Sequence, residues 1–474
     1  MSGSWGDSMI ETALTLLRFL LGLGGVFLLG YACFALLVPN PREFRVLESL
    51  CLSFGIGAVG LTLWMLFLSW WGLAFSLILS LAPPLAAAFL ALAVKKLVRK
   101  RSGRPESYLP AAPPPPPVPF RVWDWVFIGL LAALFLFAYF RAVIYPIWAW
   151  DAIATWGCKA KLFYQSRAMD LTCIEAHNYY PNLVPLLLSY LYFCLGEVND
   201  HLAQGLFPLW GALLLGMLYS FLRRMGLNRT QALGITAFFA LNGTVFISHL
   251  FIAYADLPLA YFALAAVGLV YLWLLDAAPL GALALAAPFF AGLAWCKYEG
   301  PPLAGTILLA AFLSLVWLRP PDWKTRFLKL GIPVLGLAAG FLPWRLFAAF
   351  SHLEMGADHV RNLYPHQFLE SIPYLLRALI DPFFFGLLWP AAALALLFSG
   401  RGLWRSPRLF PALFVGGNLL AVLVAYAVAP TSAAEFDMYV RATIDRLLLH
   451  ITPVVALLVG EGMKEVREVD HKTV

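Results

Sequence analysis

A chain of 474 residues with 62% hydrophobic and 12% charged residues, and a mean hydropathy of +0.80, is not a water-soluble globular protein. Such proteins carry roughly 25% charged residues. The net charge of +7 does not signal nucleic acid, because the basic residues sit in short connections between apolar runs, the distribution of a membrane protein.

Only helices or a closed barrel satisfy their backbone inside a bilayer, and long continuous apolar runs select helices. The opening "MSGSWGDSMIE" carries two acids and no basic residue, so the first run is expected to be a retained span rather than a cleaved signal. Spans are expected near 11–37, 48–71, 74–96, 123–144, 204–221, 231–248, 257–275, 282–296, 302–318, 330–350, 379–399, 409–430 and 444–462. The expected fold class is therefore all-α and polytopic, with about 13 transmembrane helices.

Most of the 33 basic residues fall on one side: Arg42 and Arg45, "KKLVRKRSGR" with Arg121, "RRMGLNR", "RPPDWKTRFLK", "RGLWRSPR" and the tail. That side is expected to be cytoplasmic, with the N-terminus outside and the C-terminus inside. The Pro-rich "GRPESYLPAAPPPPPVPF" favours an extended spacer. It suggests a three-span module (1–97), a cytoplasmic linker (98–122), a core (123–350) and C-terminal spans (351–474). The longest outer stretch, Tyr145 to about Leu202, includes "LVPLLLSYLYFCLG". This segment is too short to cross and is expected to be an interfacial or re-entrant helix.

The outer connections hold the polar residues that could carry chemistry. In "PIWAWDAIATWGCKAK", a helical reading puts Asp151 and Thr155 on one face and Lys159 about 12 Å from Asp151. Asp151 could equally cap the following helix, with Trp148, Trp150 and Trp156 as an interfacial belt. "HLFIAYADLP" offers His249 and Asp256, although Asp before Pro258 is also a helix-start signature. "AWCKYEGPP" sets Lys297 and Glu299 two residues apart.

"FDMYVRATIDRLLLHITP" places Arg446 just inside the outer interface, with Arg441 and Asp445 before it and His450 deeper. Ionisable residues within a membrane are costly and mark functional sites, and the planar fork of Arg suits a phosphate. "EAHNYYPNL" adds His177, Tyr179 and Tyr180 as hydrogen-bonding groups. His352, Glu354, Asp358, His359 and His366 show no metal-ligand spacing. No metal is predicted, and no cofactor is required, although a divalent cation stays possible. Cys158, Cys173 and Cys194 share one loop without a spacing that dictates a disulfide. No Walker A, GxGxxG or GxSxG motif occurs.

Taken in order, "WDAIATWGCKAKLFY", "YYPNLVPLL", "YADLPLAYFAL", "WCKYEG" and "DRLLLHITP" resemble the GT-C superfamily. The likeness is to the bacterial branch similar to protein O-mannosyltransferases and the lipid A aminoarabinose transferase, and it spans roughly residues 123 to 462. The resemblance implies a GT-C-like core with a long outer loop carrying interfacial helices. It implies transfer of a sugar from a polyprenyl-phosphate carrier to an acceptor hydroxyl on the outer, periplasmic face of a bacterial inner membrane.

In that reading Asp151 matches the acidic residue of the first outer loop and is the catalytic general base. Arg446, Lys159, Lys297 and Arg441 bind the donor phosphate, and Asp256, Glu299, Tyr180, His177 and His249 bind acceptor or sugar. Partners are the lipid-linked sugar, a glycan, lipid or protein hydroxyl, and membrane lipids. Three spans before the loop-bearing one, and a lone Asp151 where some members have paired acids, depart from the pattern. The alternative reading is a secondary transporter or flippase for a lipid or organic anion.

Overall fold

The computed structural model describes residues 5–101, 119–174, 177–276, 281–353 and 362–470. Every element in them is helical. The chain opens with α1 (Trp5–Leu37), α2 (Val46–Trp70), α3 (Leu77–Arg101) and α4 (Val122–Ile144). A π-helical turn (Ala152–Gly157) then leads into α5 (Cys158–Ser166), α6 (Leu183–Leu195), α7 (Asp200–Gln204) and α8 (Leu206–Arg224). The middle of the chain forms α9 (Arg229–Leu241), α10 (Thr244–His249), α11 (Asp256–Leu274), α12 (Ala282–Cys296) and α13 (Gly300–Leu318). The remainder forms α14 (Trp323–Lys329), α15 (Gly331–Phe350), α16 (Pro365–Ile380), α17 (Leu388–Leu403), α18 (Leu409–Ala427), α19 (Ala433–Leu449) and α20 (Thr452–Asp470).

Among the described residues, nine helices are long and apolar enough to cross a membrane, or ten with one bent pair. The protein is thus an integral membrane protein, but the expected count of thirteen is not reached by this measure. The differences have local causes. The run 231–248 is cut by Asn242 and Gly243, the latter at φ +116, into α9 and α10. Within 379–399 the helix α17 starts only at Leu388. The run 282–296 yields α12, 15 residues with Pro288 inside. The last span bends by 50° between α19 and α20, just before Pro453, whose ring and missing N–H break the helical ladder.

In lipid, helices associate by close packing of small residues rather than by hydrophobic exclusion. Two seams are built that way. A Cβ at Gly336 or Gly340 of α15 would lie 2.2 Å from the carbonyl oxygens of Ala287 or Ala291 on α12. A Cβ at Gly57 of α2 would lie 2.0 Å from the Val26 carbonyl oxygen on α1. Helix α11 runs through the centre, with nearly every residue buried, against α8, α12, α13 and α20. Helix α2 of the N-terminal spans packs on α8, α12 and α6. Most of the Pro-rich linker lies outside the described residues.

The expected surface helix is placed differently. Helix α6 is buried along 12 of its 13 residues between α1, α2, α5 and α12. It is apolar all round, and such a helix satisfies itself only inside protein or lipid. At the other end of the bundle, three buried acids tie helices together. Arg224 Nη2 donates to Glu48 at 2.8 Å, Thr230 donates to Asp124 at 2.6 Å, and Tyr271 donates to Glu461 at 2.9 Å.

Candidate functional site

Two helix ends meet at the site. Asp256 is the first residue of α11, where the exposed N–H groups and the helix dipole favour an anion. Arg446 lies in the last turn of α19, where the same dipole favours a cation. The Arg446 Nη2 donates to Asp256 at 3.0 Å, with Nε at 3.3 Å to the same oxygen. The second Asp256 oxygen accepts from Lys297 at 2.9 Å and from His450 Nε2 at 2.9 Å. Asp256 is fully buried and held by three residues from two other segments. A buried carboxylate needs such saturation to persist as an anion.

Lys297 is delivered by a short link. α12 ends at Cys296 and α13 starts with Gly300 followed by two prolines, which suit a first helical turn. A Cβ at Gly300 would lie 1.7 Å from the Leu293 carbonyl oxygen, so only glycine lets the chain turn back this closely. Lys297 also contacts Glu299 at 2.8 Å. The other Glu299 oxygen, Oε2, is buried without a hydrogen-bond partner among the described residues.

Asp151 closes the cluster from the other side. Its carboxylate meets Arg446 Nη1 at 2.7 Å, and its side chain is 31% exposed. It makes no side-chain capping bond to the turn that follows, so the capping alternative is not what the side chain does here. The segment after it is π-helical rather than α-helical, a wide turn frequent at functional sites. Tyr254 lies beneath the Arg446 guanidinium, 4.7 Å from its ring centroid.

An aromatic wall adjoins the ions. Trp156 packs edge-on to Tyr180 at 5.6 Å, Tyr180 stacks on Tyr179 at 5.1 Å, and Tyr298 meets Tyr180 at 6.3 Å. Trp156 is therefore core, whereas Trp148 and Trp150 are exposed and suit an interfacial belt. Burial holds the Tyr180 phenol well above its ordinary pKa, with Glu299 adding to the effect, so Tyr180 is a neutral donor.

Other expected residues are placed elsewhere or in supporting positions. Lys159 is fully buried and donates to the His177 carbonyl at 2.6 Å. Burial brings its pKa down to about 7. His177 adopts φ +55, and its ring meets the Tyr179 hydroxyl at 3.2 Å, so Lys159 secures the turn that presents the tyrosines. His249 donates from Nδ1 to the Val245 carbonyl at 2.7 Å, leaving a buried Nε2 without a partner among the described residues. Its burial lowers its pKa, which keeps the ring neutral.

Arg441 is not brought to the cluster. It pairs with Asp437 at 2.8 Å on an exposed face and lies over Tyr374 at 5.5 Å. Glu354, Asp358 and His359 lie outside the described residues. Among the described residues no group of three or more His, Cys, Asp and Glu is arranged to hold a metal, and Cys158, Cys173 and Cys194 are free thiols. Tyr254 and His450 were not among the expected site residues. The signal for His450 is its spacing of four from Arg446, which puts both on one helix face.

No family model matches the sequence, and no curated protein matches it. Two solved structures do match in fold. One is ArnT from Cupriavidus metallidurans bound to undecaprenyl phosphate, with TM-score 0.53, 15% identity, and coverage of 73% of this chain and 61% of that one. The other is the same protein in the apo state, with TM-score 0.50, 14% identity, and coverage of 72% and 59%. The chain thus spans about three fifths of ArnT's length. The all-helical fold expected from the GT-C resemblance is borne out by this likeness: the chain has a membrane fold similar to that of ArnT.

Proposed function

We propose that this protein is an inverting glycosyltransferase that moves a sugar from a polyprenyl-phosphate carrier to an acceptor hydroxyl at the outer face of the membrane, in the bacterial inner membrane. The observation that carries the reading is the environment of Arg446. One edge of its guanidinium is anchored by buried Asp256, while Nη1 faces the part-exposed Asp151. A fork fixed on one side by a buried carboxylate, and met on the other only by a part-exposed one, suits a lipid phosphate that takes the second edge. The likeness in fold to a protein crystallised with undecaprenyl phosphate supports the same donor class.

The residues then divide the work. Arg446 binds the phosphate that links carrier and sugar, and Asp256, Lys297 and His450 hold Arg446 in place. The buried, unpartnered Glu299 Oε2 and His249 Nε2 offer acceptors to sugar hydroxyls, and Tyr180, backed by the buried Trp156, forms a wall for the sugar ring. Asp151 takes the acceptor proton as the acceptor oxygen bonds to the anomeric carbon. The bond from that carbon to the phosphate oxygen breaks, and its electron pair leaves on the phosphate. The carrier phosphate gains one negative charge, which Arg446 stabilises in a water-poor site. Attack opposite the leaving phosphate inverts the anomeric centre. In this reading Lys159 and Arg441 do not touch the donor.

The test is transfer from a radiolabelled polyprenyl-phosphate sugar by purified protein in proteoliposomes, with Asp151→Asn as the variant. Wild-type transfer that is lost in a folded Asp151→Asn protein supports the reading. Full activity of that variant would remove Asp151 as the base.

The 50° break between α19 and α20, beside Arg446 and His450, favours the alternative of a carrier or flippase. Movement of lipid across the vesicle without sugar transfer would establish that alternative.

A further inference from the structure

Arg446 has two carboxylate partners of unequal standing. Asp256 is fully buried, and its two oxygens accept from Arg446, Lys297 and His450. Asp151 is 31% exposed, and among the described residues its carboxylate forms one ion pair, the 2.7 Å contact with Arg446 Nη1. Moving Asp256 would strip several buried cations and donors of their partner at once. Asp151 can swing toward solvent at the cost of one ion pair, because its carboxylate is already partly hydrated.

Charge balance makes the same distinction. Asp151, Asp256 and Glu299 face the two permanent cations Arg446 and Lys297, with His450 on Asp256 as the remaining titratable donor, so the cluster holds no unpaired permanent cation. Adding a phosphate while keeping all three carboxylates would crowd like charges in a low-dielectric site. From this we infer that Asp151 occupies the phosphate position on Arg446 when the site is empty, and that the lipid phosphate and the Asp151 carboxylate exchange on Nη1.

The exchange rests on the glycosyltransferase reading and gives it an order. Donor binding releases Asp151 from Arg446, so the base becomes free only when a sugar is in place. After transfer Asp151 carries the acceptor proton and does not compete for Arg446. Loss of that proton to solvent restores the carboxylate, which again competes with the carrier phosphate for Arg446 Nη1. Asp151 is thus both the base and the internal competitor of the donor.

The experiment measures binding of undecaprenyl phosphate, with undecaprenol as the phosphate-free control, to the full chain in nanodiscs. Wild type, Asp151→Asn, Asp151→Ala and Asp151→Glu are compared after melting curves verify that each is folded; the Ala variant decides if the Asn variant is not. Loss of the competing carboxylate should tighten phosphate binding roughly three- to tenfold, leave the alcohol unchanged, and have no such effect in Asp151→Glu. A wild type that prefers the phosphate, with Asn and Ala variants that bind it equally or more weakly, overturns the exchange and leaves the donor reading standing. A wild type with no preference for phosphate over alcohol overturns both.

Discussion

Arg446 and Asp256 are joined at 3.0 Å where the C-terminal end of α19 meets the N-terminal end of α11. The helix dipoles and the side-chain charges agree in sign at both ends. Asp256 is the fixed point of the site, since Lys297 and His450 converge on its second oxygen.

Asp256→Asn leaves the size of the side chain unchanged but removes the charge that Arg446 and Lys297 share. Breaking a buried ion network from one side costs about 3–5 kcal/mol. The variant should melt well below wild type in detergent and bind lipid phosphate poorly. An unchanged melting temperature would show that Asp256 is not the anchor.

Arg446→Lys keeps the charge and loses the fork. A single ammonium cannot hold Asp256 and present a second donor edge at once. Sugar transfer should fall by roughly 100-fold, as when one preorganised donor to a developing anion is lost. Steady-state transfer assays check this, and activity within a factor of a few of wild type would contradict it.

Lys159 makes the stability of the loop it anchors depend on pH. Its pKa is about 7 in the folded protein and about 10.4 when exposed. Between these values the unfolded chain binds more protons than the folded one, so stability rises with pH across this window. Below about pH 7 the cost of burying the charge is fully present. Lys159→Met should therefore fare better against wild type at pH 6 than at pH 9.5, by up to a few kcal/mol. Melting curves of both proteins across this range check it; a difference independent of pH would mean that Lys159 stays charged.

The glycine seam between α12 and α15 separates two substitutions that look alike. Gly340→Leu drives a side chain into the Ala291 backbone and should destabilise by about 1–3 kcal/mol or more. Gly305 in α13 has open space at its Cβ position, and Gly305→Ala should be neutral or stabilising by about 0.5–1 kcal/mol. Thermal unfolding of the two variants distinguishes them.

Much of the architecture is legible in the residues. Continuous apolar runs give helices, and the breaks at Asn242–Gly243 and Pro453 carry their own signals, which an apolar window averages away. The all-round apolar face of α6 marks a buried helix, although its shortness suggests a surface one. The site is legible as a set of outer-end charges but not as pairs. Asp151, Asp256, Lys297 and Arg446 come from four segments far apart in the chain, and nothing local says that Arg446 bridges two of the acids. Lys159 and Arg441 look alike as outer-side cations. Only packing puts one inside, against the His177 carbonyl, and the other on an exposed face with Asp437.

On the proposed reading, the Arg446 cluster transfers a sugar from a lipid phosphate. The most direct measurement is the stereochemistry and rate of transfer from a purified polyprenyl-phosphate sugar to a hydroxyl acceptor in proteoliposomes, for wild type and Arg446→Ala. Wild type should give a product of inverted anomeric configuration, and the variant almost none. A product of retained configuration, or equal rates from both proteins, would contradict it.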